Sequence, residues 1–166
     1  MYICYLGIVV SFLCMLTTGI QGYLSAPLFG VKHSSIALFS IIIYLFTQTL
    51  IMFFFIGCGI SIKEYTEEHN LSLDFRKAMI ALKHKIFPPQ MLNIGLFMAL
   101  FIMGGAVDTK VIPAWIHGVL FIIAMLHLIK LTVIQHGGFR KNTAIILDMS
   151  GIPSPLNQSN PDNTSS

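Results

Sequence analysis

The sequence predicts an all-α integral membrane protein: a four-transmembrane-helix up-down bundle with a cytoplasmic amphipathic helix and a disordered C-terminal tail. Three observations carry that expectation. Of 166 residues, 55% are hydrophobic and only 10% are charged, against about 25% charged in an ordinary soluble domain. Charged side chains are missing from four long intervals: Met1 to Val31, Ser34 to Ile62, Ile86 to Val107 and Val111 to Ile129. Lys and Arg, ten in all, are divided very unevenly among the connecting segments.

A chain of this length cannot hide so much apolar surface in one water-facing core, because small domains bury only part of their surface. Lipid is the solvent that fits. A helix needs roughly 20 apolar residues to cross a bilayer core, and its backbone amides must bond within their own segment. The four intervals therefore predict spans near residues 3–24, 35–61, 87–106 and 112–134, within a helical domain covering 1–149.

The first span has a competitor, a cleaved signal peptide. No Lys or Arg precedes its apolar run, the small-residue site Ser25-Ala26 is followed by Pro27, and the run exceeds a usual signal core. A retained helix is the expectation.

The segment between spans two and three holds Lys63, Arg76, Lys77, Lys83 and Lys85, and the stretch after span four holds Lys130, Arg140 and Lys141. The opposite side holds Lys32 and Lys110. Basic loops stay cytoplasmic, which places both termini inside, in a membrane of the bacterial inner-membrane kind, and "GGAVDTKVIPAWIHG" (residues 104–118) outside.

Span two should continue as "SIKEYTEEH", with Lys63 and Glu67 spaced for an i,i+4 pair, before "HNLS" breaks it. Ser72 is the expected N-cap, and Asp74 sits where the helix dipole favours an acid. From there Phe75, Met79, Leu82 and Ile86 share one face, while Arg76, Lys77, Lys83 and Lys85 supply basic, lipid-facing groups. That pattern, over 63–86, suits a helix lying in the headgroup region, held by anionic lipid. Pro88 and Pro89 then open span three, since proline is tolerated in a first turn. The tail, 150–166, is rich in Ser, Asn and Pro and predicts disorder. Its two glycosylation sequons, at Asn157 and Asn163, fall on the cytoplasmic side and read as chance.

Apolar area gives no net drive to association in lipid, so close packing and hydrogen bonds must hold the spans together. Each span carries one small-xxx-small step: Gly7/Ser11, Gly57/Ser61, Gly95/Ala99 and Ala114/Gly118. These fit a compact bundle or contacts with further membrane subunits or a second copy. Polar residues inside the spans are few, namely Thr17, Thr18, Tyr44, Thr47, Gln48, Thr49 and Asn93, and each is expected to make an interhelical bond worth roughly 0.6 kcal/mol. Cys4, Cys14 and Cys58 all lie in apolar spans without a C-x-x-C and are expected to pack rather than pair.

Histidines carry whatever chemistry exists. His69, His84 and His136 fall in polar segments and are expected to be exposed. An ionisable residue inside a span is a functional-site hypothesis by default, and His127 is such a residue. It lies ten residues beyond His117, about 15 Å deeper and roughly 80° around the helix. Histidine is the usual axial ligand of haem b, but a second ligand must come from another helix. The first three spans as drawn contain no histidine; Met15, Met52, Met91, Met98, Met103 or a second copy's His127 would have to serve. His127, with His117, is thus the candidate for haem or quinone contact. The alternative is a neutral imidazole bonded to Tyr44, Gln48 or a backbone carbonyl.

The stretch 104–118 has two readings. Gly104-Gly105 loosens the end of span three, Pro113 starts span four and Trp115 sits at the water boundary: an interface-anchored hairpin. Alternatively, Asp108, His117 and His33 form the one available three-ligand set for a metal.

Other chemistries are excluded by the motifs. There is no G-x-x-x-x-G-K-[ST], G-x-G-x-x-G, H-E-x-x-H or G-x-S-x-G. The spans show no stack of buried charges of the kind an ion pathway needs. The basic balance, a formal +3, suits anionic lipid rather than nucleic acid. In architecture the chain resembles the small anchors and accessory subunits of respiratory complexes, which have few spans and sparse histidines. The expectation is a non-catalytic structural or accessory subunit of a larger membrane assembly. The alternative is an anchor binding one b-type haem or a quinone through His127.

Overall fold

A computed structural model describes residues 1–24 and 30–152. Within them the chain forms four helices: α1 (Tyr2–Leu24), α2 (His33–Glu68), α3 (Asp74–Asp108) and α4 (Ala114–Met149). All four are long and apolar enough to cross a membrane. They pack as a bundle in which α1 lies on α2, α2 on α3 and α3 on α4, while the closing seam between α1 and α4 is the loosest of the four. Ser25-Ala26, both sequons and all but the first three residues of the expected disordered tail lie outside the described residues.

The turns explain where the helices stop. After α2, Asn70 takes a left-handed conformation at φ 50°, which asparagine tolerates better than most residues, and Leu71 N–H reaches back to the Thr66 carbonyl at 3.0 Å. That 6→1 bond is the Schellman closure. The α3–α4 hairpin repeats it, with Lys110 at φ 60° and Val111 N–H donating to the Ala106 carbonyl at 2.9 Å. Gly104 and Gly105 stay inside α3, so the hairpin begins later than the glycine pair suggested. The N-cap of α3 is Leu73, one residue later than the expected Ser72, and it makes no side-chain cap bond; Ser72 still serves the first turn, its hydroxyl accepting the Asp74 N–H and donating to the Asp74 carboxylate.

One expectation is overturned. Residues 74–86 are not a separate helix lying on the membrane. They are the first turns of α3, which runs unbroken through Pro88 and Pro89. The face carrying Met79, Leu82 and Ile86 is buried in the bundle against Ile62, Phe55, Phe139 and Ile145. Each proline removes a donor, which frees the carbonyls four residues back, on His84 and Lys85. Both residues are exposed, so water can satisfy those carbonyls and the helix continues.

At about 1.5 Å per residue, the 36 residues of α4 span about 54 Å, well beyond the ~30 Å bilayer core. Helix α1 is shorter, at 23 residues. Met1, just ahead of it, is level with Thr143, whose Oγ1 lies 4.0 Å from Met1 Sδ. The lysine-rich ends of α2, α3 and α4 therefore continue past α1 as a three-helix extension, in which Arg76–Glu67 at 3.7 Å joins α3 to α2, while Lys63–Glu67 at 3.9 Å is a pair within α2.

Two apolar clusters fill the interior. One, at the lysine-rich end, is built on Ile51, Phe55, Ile62, Met79, Ile86 and Phe139. The other, toward the α3–α4 hairpin, is built on Met15, Ile41, Tyr44, Phe97 and Leu128. Polar contacts cross the interior at several levels. Ser11 Oγ donates to Thr47 Oγ1 at 2.9 Å, and the Thr18 and Ser40 hydroxyls share a 2.7 Å bond. Both join α1 to α2. Gln48 Oε1 accepts from Gln90 Nε2 at 3.1 Å and from Gln135 Nε2 at 2.8 Å, joining α2, α3 and α4.

Candidate functional site

At the hairpin end the four helices do not close on one another. They surround a half-open cavity of about 1150 Å³, whose rim includes the exposed Leu38, Ile102, Trp115 and Val119. Every helix contributes to its wall: Met15, Gln21 and Tyr23 from α1, His33 and Ile41 from α2, Phe97, Leu100 and Asp108 from α3, Trp115, His117 and Phe121 from α4. The wall is mainly apolar, with a few polar groups gathered at one end, the usual make-up of a ligand pocket.

Glycines on neighbouring helices make room for both imidazoles. A Cβ on Gly22 would stand 3.1 Å from the His33 ring, and one on Gly104 would stand 3.4 Å from the His117 ring. The two histidines and Asp108 are close enough that His33 and Asp108 both act electrostatically on His117. Asp108 accepts a hydrogen bond from the Ser34 hydroxyl at 3.0 Å. Gln21 is 2% exposed, and its Nε2 donates to the Val31 carbonyl at 2.7 Å. Tyr23 donates from its hydroxyl to the Gly118 carbonyl at 3.0 Å, a bond that spans the α1–α4 seam.

Three buried polar atoms in this wall have no partner among the described residues: Gln21 Oε1, His33 Nδ1 and His117 Nδ1. A buried polar group without a partner costs roughly 1–3 kcal/mol. Three of them beside one cavity mark it as a place where an outside molecule can repay that cost.

His33 and His117, widely separated in sequence, are thus brought together, and Asp108 joins them. Among the described residues, however, no three His, Cys, Asp or Glu side chains converge as a metal-binding group. His127 is not in this wall. It is half-buried on α4 with Nδ1 unpartnered, and the partners suggested for it are committed elsewhere: Tyr44 donates to Asn93 and Gln48 accepts from Gln90 and Gln135. None of the methionines considered as a partner for His127 is brought to its Nδ1 among the described residues; the histidine that stands near another is His33, which opens α2 just ahead of the expected span and lies close to His117.

The small-residue steps divide. Gly7 packs on Thr47, and Gly118 packs on Tyr23. Gly57, Ser61, Gly95 and Ala99 are exposed on the outside of the bundle, Ala114 is exposed at the edge of the cavity, and a Cβ on Gly57 or Gly95 would meet nothing. Of the basic set, Arg76 pairs with Glu67, Lys77 pairs with Asp74 at 3.1 Å, Lys83 lies over Gly59 and Lys85 is exposed. His136 accepts or donates one bond, to the Tyr5 hydroxyl at 2.8 Å, tying α1 to α4 at the far end.

Gln21, Gln90, Gln135 and Asn142 were missed as interior polar groups. Charge-free intervals place Gln90 at the start of a span and Gln135 and Asn142 beyond one. Spacing held the missing signal: Gln90 and Asn93 are three apart, and Gln135 and Asn142 are seven apart, which keeps each pair on one helical face.

No protein-family model, curated protein or solved structure matches the chain.

Proposed function

We propose that this chain is a membrane-embedded binding protein whose cavity takes a lipophilic molecule with a flat, hydrogen-bonding head, of the quinone class. The observation that carries this is the cavity of about 1150 Å³ with Gln21 Oε1, His33 Nδ1 and His117 Nδ1 unpartnered in its wall. A typical small-molecule pocket holds roughly 300–1,000 Å³, so a head and part of a tail fit. A neutral imidazole nitrogen is a donor or an acceptor according to tautomer, while an amide oxygen only accepts. A quinone and its reduced form together offer both complements: carbonyl oxygens that accept and hydroxyls that donate.

Haem b is the competing occupant, favoured by two histidines from two different helices. Iron-bound histidines nearly always donate their other ring N–H to an acceptor, and His33 Nδ1 has none among the described residues, which supports the hydrogen-bonding ligand.

Trp115 is the single tryptophan and stands, 69% exposed, at the rim of the cavity, so saturation and the histidine variants separate a bound quencher from one in the detergent. Saturable quenching of its fluorescence by a tailless benzoquinone or naphthoquinone is the expected result in the detergent-purified protein. Quenching should weaken in His33→Leu and His117→Leu and persist in His127→Leu. A Soret band lost in His33→Ala and His117→Ala would replace the quinone with haem. No saturable quenching and no Soret band would overturn a ligand-binding role altogether.

A second role, as an accessory subunit of a larger membrane assembly, is supported by Gly57, Ser61, Gly95 and Ala99. These small residues face outward, and small residues let partner helices approach closely in lipid. Native mass measurement of the chain released gently from its membrane tests this: a lone monomer, unchanged in Gly57→Ile/Gly95→Ile, would count it out. The basic bias supports a cytoplasmic lysine-rich end in a bacterial inner membrane, with the cavity opening toward the other side. Reporter fusions placing residues 63–86 outside would reverse that.

A further inference from the structure

We propose that the cavity is filled from the lipid, through the seam between α1 and α4, and that its ligand is therefore a long-tailed membrane lipid whose tail stays in a groove on that seam. The proposal rests on the ligand-binding role argued above and adds the route and the tail.

The seam has the features of a portal. It is the loosest helix–helix contact in the bundle. On its outer side lies a shallow, open groove of about 330 Å³, lined by Leu16, Gly19, Ile20, Tyr23, Leu24 and Phe121. Apart from the Tyr23 hydroxyl that wall is hydrocarbon, and Leu16, Ile20 and Leu24 are exposed on the bundle surface, where an apolar tail replaces a neighbouring lipid chain at little cost. Gly19, Tyr23 and Phe121 line both the cavity and the groove. One residue deep, they are the partition between the histidine-bearing chamber and the membrane.

Phe121 is the movable part of that partition. Its ring fits into the notch left by Gly19, where a Cβ would come to 2.3 Å from the ring's Cζ. Withdrawing one phenyl ring from between the groove and the cavity joins them into a single channel from lipid to His33 and His117. Tyr23 sets the rim, its hydroxyl holding the Gly118 carbonyl at 3.0 Å, so the seam stays closed on one side of the ring while the other opens.

A head that enters this way arrives already desolvated. Its polar atoms meet Gln21 Oε1 and the two Nδ1 atoms, while its tail trails back past Gly19 into the groove. A compact, water-soluble molecule has no use for that groove. A lipid bearing an isoprenoid or long acyl tail fills both volumes at once.

The test uses the full chain in lipid nanodiscs and two probes: a tailless ubiquinone head, and the same head on a decaprenyl-length tail carrying a diazirine partway along. Expected are photolabels confined to residues 16–24 and 118–121, displaced by an excess of the tailless head. Phe121→Trp, which thickens the partition, should slow labelling severalfold while Ser72→Ala, in the turn at the opposite end of the bundle, leaves it unchanged. If Phe121→Trp does not fold, Phe121→Ala serves instead and should speed labelling. Binding of the tailless head, with labels scattered over all four helices or a rate indifferent to Phe121, would overturn the portal and leave the binding site standing. Binding of the tailless head with no labelling by the tailed probe would likewise overturn the portal alone, and failure of both probes to bind or label would overturn both.

Discussion

The hydroxyl of Tyr44 donates to Oδ1 of Asn93 at 2.6 Å, with both side chains entirely buried. Asn93 Nδ2 in turn donates to the Ala124 carbonyl at 3.2 Å. One short chain of bonds thus connects α2, α3 and α4 just beneath the cavity. Tyr44→Phe removes the donor and leaves Oδ1 unsatisfied. Interhelical bonds in membranes average about 0.6 kcal/mol and reach roughly 1.7, so Tyr44→Phe should cost on the order of 1 kcal/mol. Asn93→Leu breaks both bonds and should cost more. Unfolding in mixed detergent micelles measures both, and a neutral Asn93→Leu would refute the connection.

The three glutamines are not equivalent. Gln90 Nε2 donates twice to Gln48, to its backbone carbonyl at 2.7 Å and to its Oε1 at 3.1 Å, whereas Gln135 donates once, at 2.8 Å. Gln90→Leu should therefore destabilise the bundle more than Gln135→Leu, by roughly one further interhelical bond, about 0.6 kcal/mol. Equal losses, measured in the same unfolding experiment, would mean the cluster acts as one unit rather than as separable bonds.

Gly138 sets how closely α4 approaches α3. A Cβ there would stand 2.4 Å from Ile86 Cδ1 and 3.2 Å from Phe55 Cζ. Overpacking of this kind typically costs about 1–3 kcal/mol. Gly138→Ala should fall in that range, Gly138→Leu beyond it, and Ile86→Val should recover part of the alanine loss by withdrawing Cδ1. An additive double mutant would show that the two positions do not collide.

At the other end of the molecule, the Ser72 hydroxyl and then the Lys77 ammonium hold the exposed Asp74 carboxyl below its ordinary value of 3.8. A carboxyl depressed by folding contributes stability above that ordinary value and loses it as pH falls through the folded value. Amide exchange over residues 70–77, corrected for intrinsic rates, should stay flat from neutral pH to about pH 5 and accelerate toward pH 3. Ser72→Ala should flatten the profile, because less depression leaves less to lose. An identical profile in the variant would remove Ser72 as the cause.

Much of the architecture is already in the order of the residues. Lipid cannot hydrogen-bond a backbone, so four charge-free intervals dictate four helices whatever their neighbours are. Local chemistry fixes the Lys63–Glu67 pair and the Ser72–Asp74 bonds, since their partners lie within a turn. The break after His69 is local too, although its left-handed residue, Asn70, appears only in the backbone.

Tertiary packing decided the rest. Met79, Leu82 and Ile86 form an apolar stripe that suits a membrane surface or a bundle interior equally well; only the presence of Ile62, Phe55 and Phe139 opposite turned it inward. Gln90 and Gln135 look like boundary residues until three helices bring their amides together. His33 and His117 lie at the starts of different helices, and nothing in their local sequence indicates that the four helices splay there and leave a chamber between them. That chamber depends on how far apart the helices stand at that end, a quantity that arises between segments and is written in none of them.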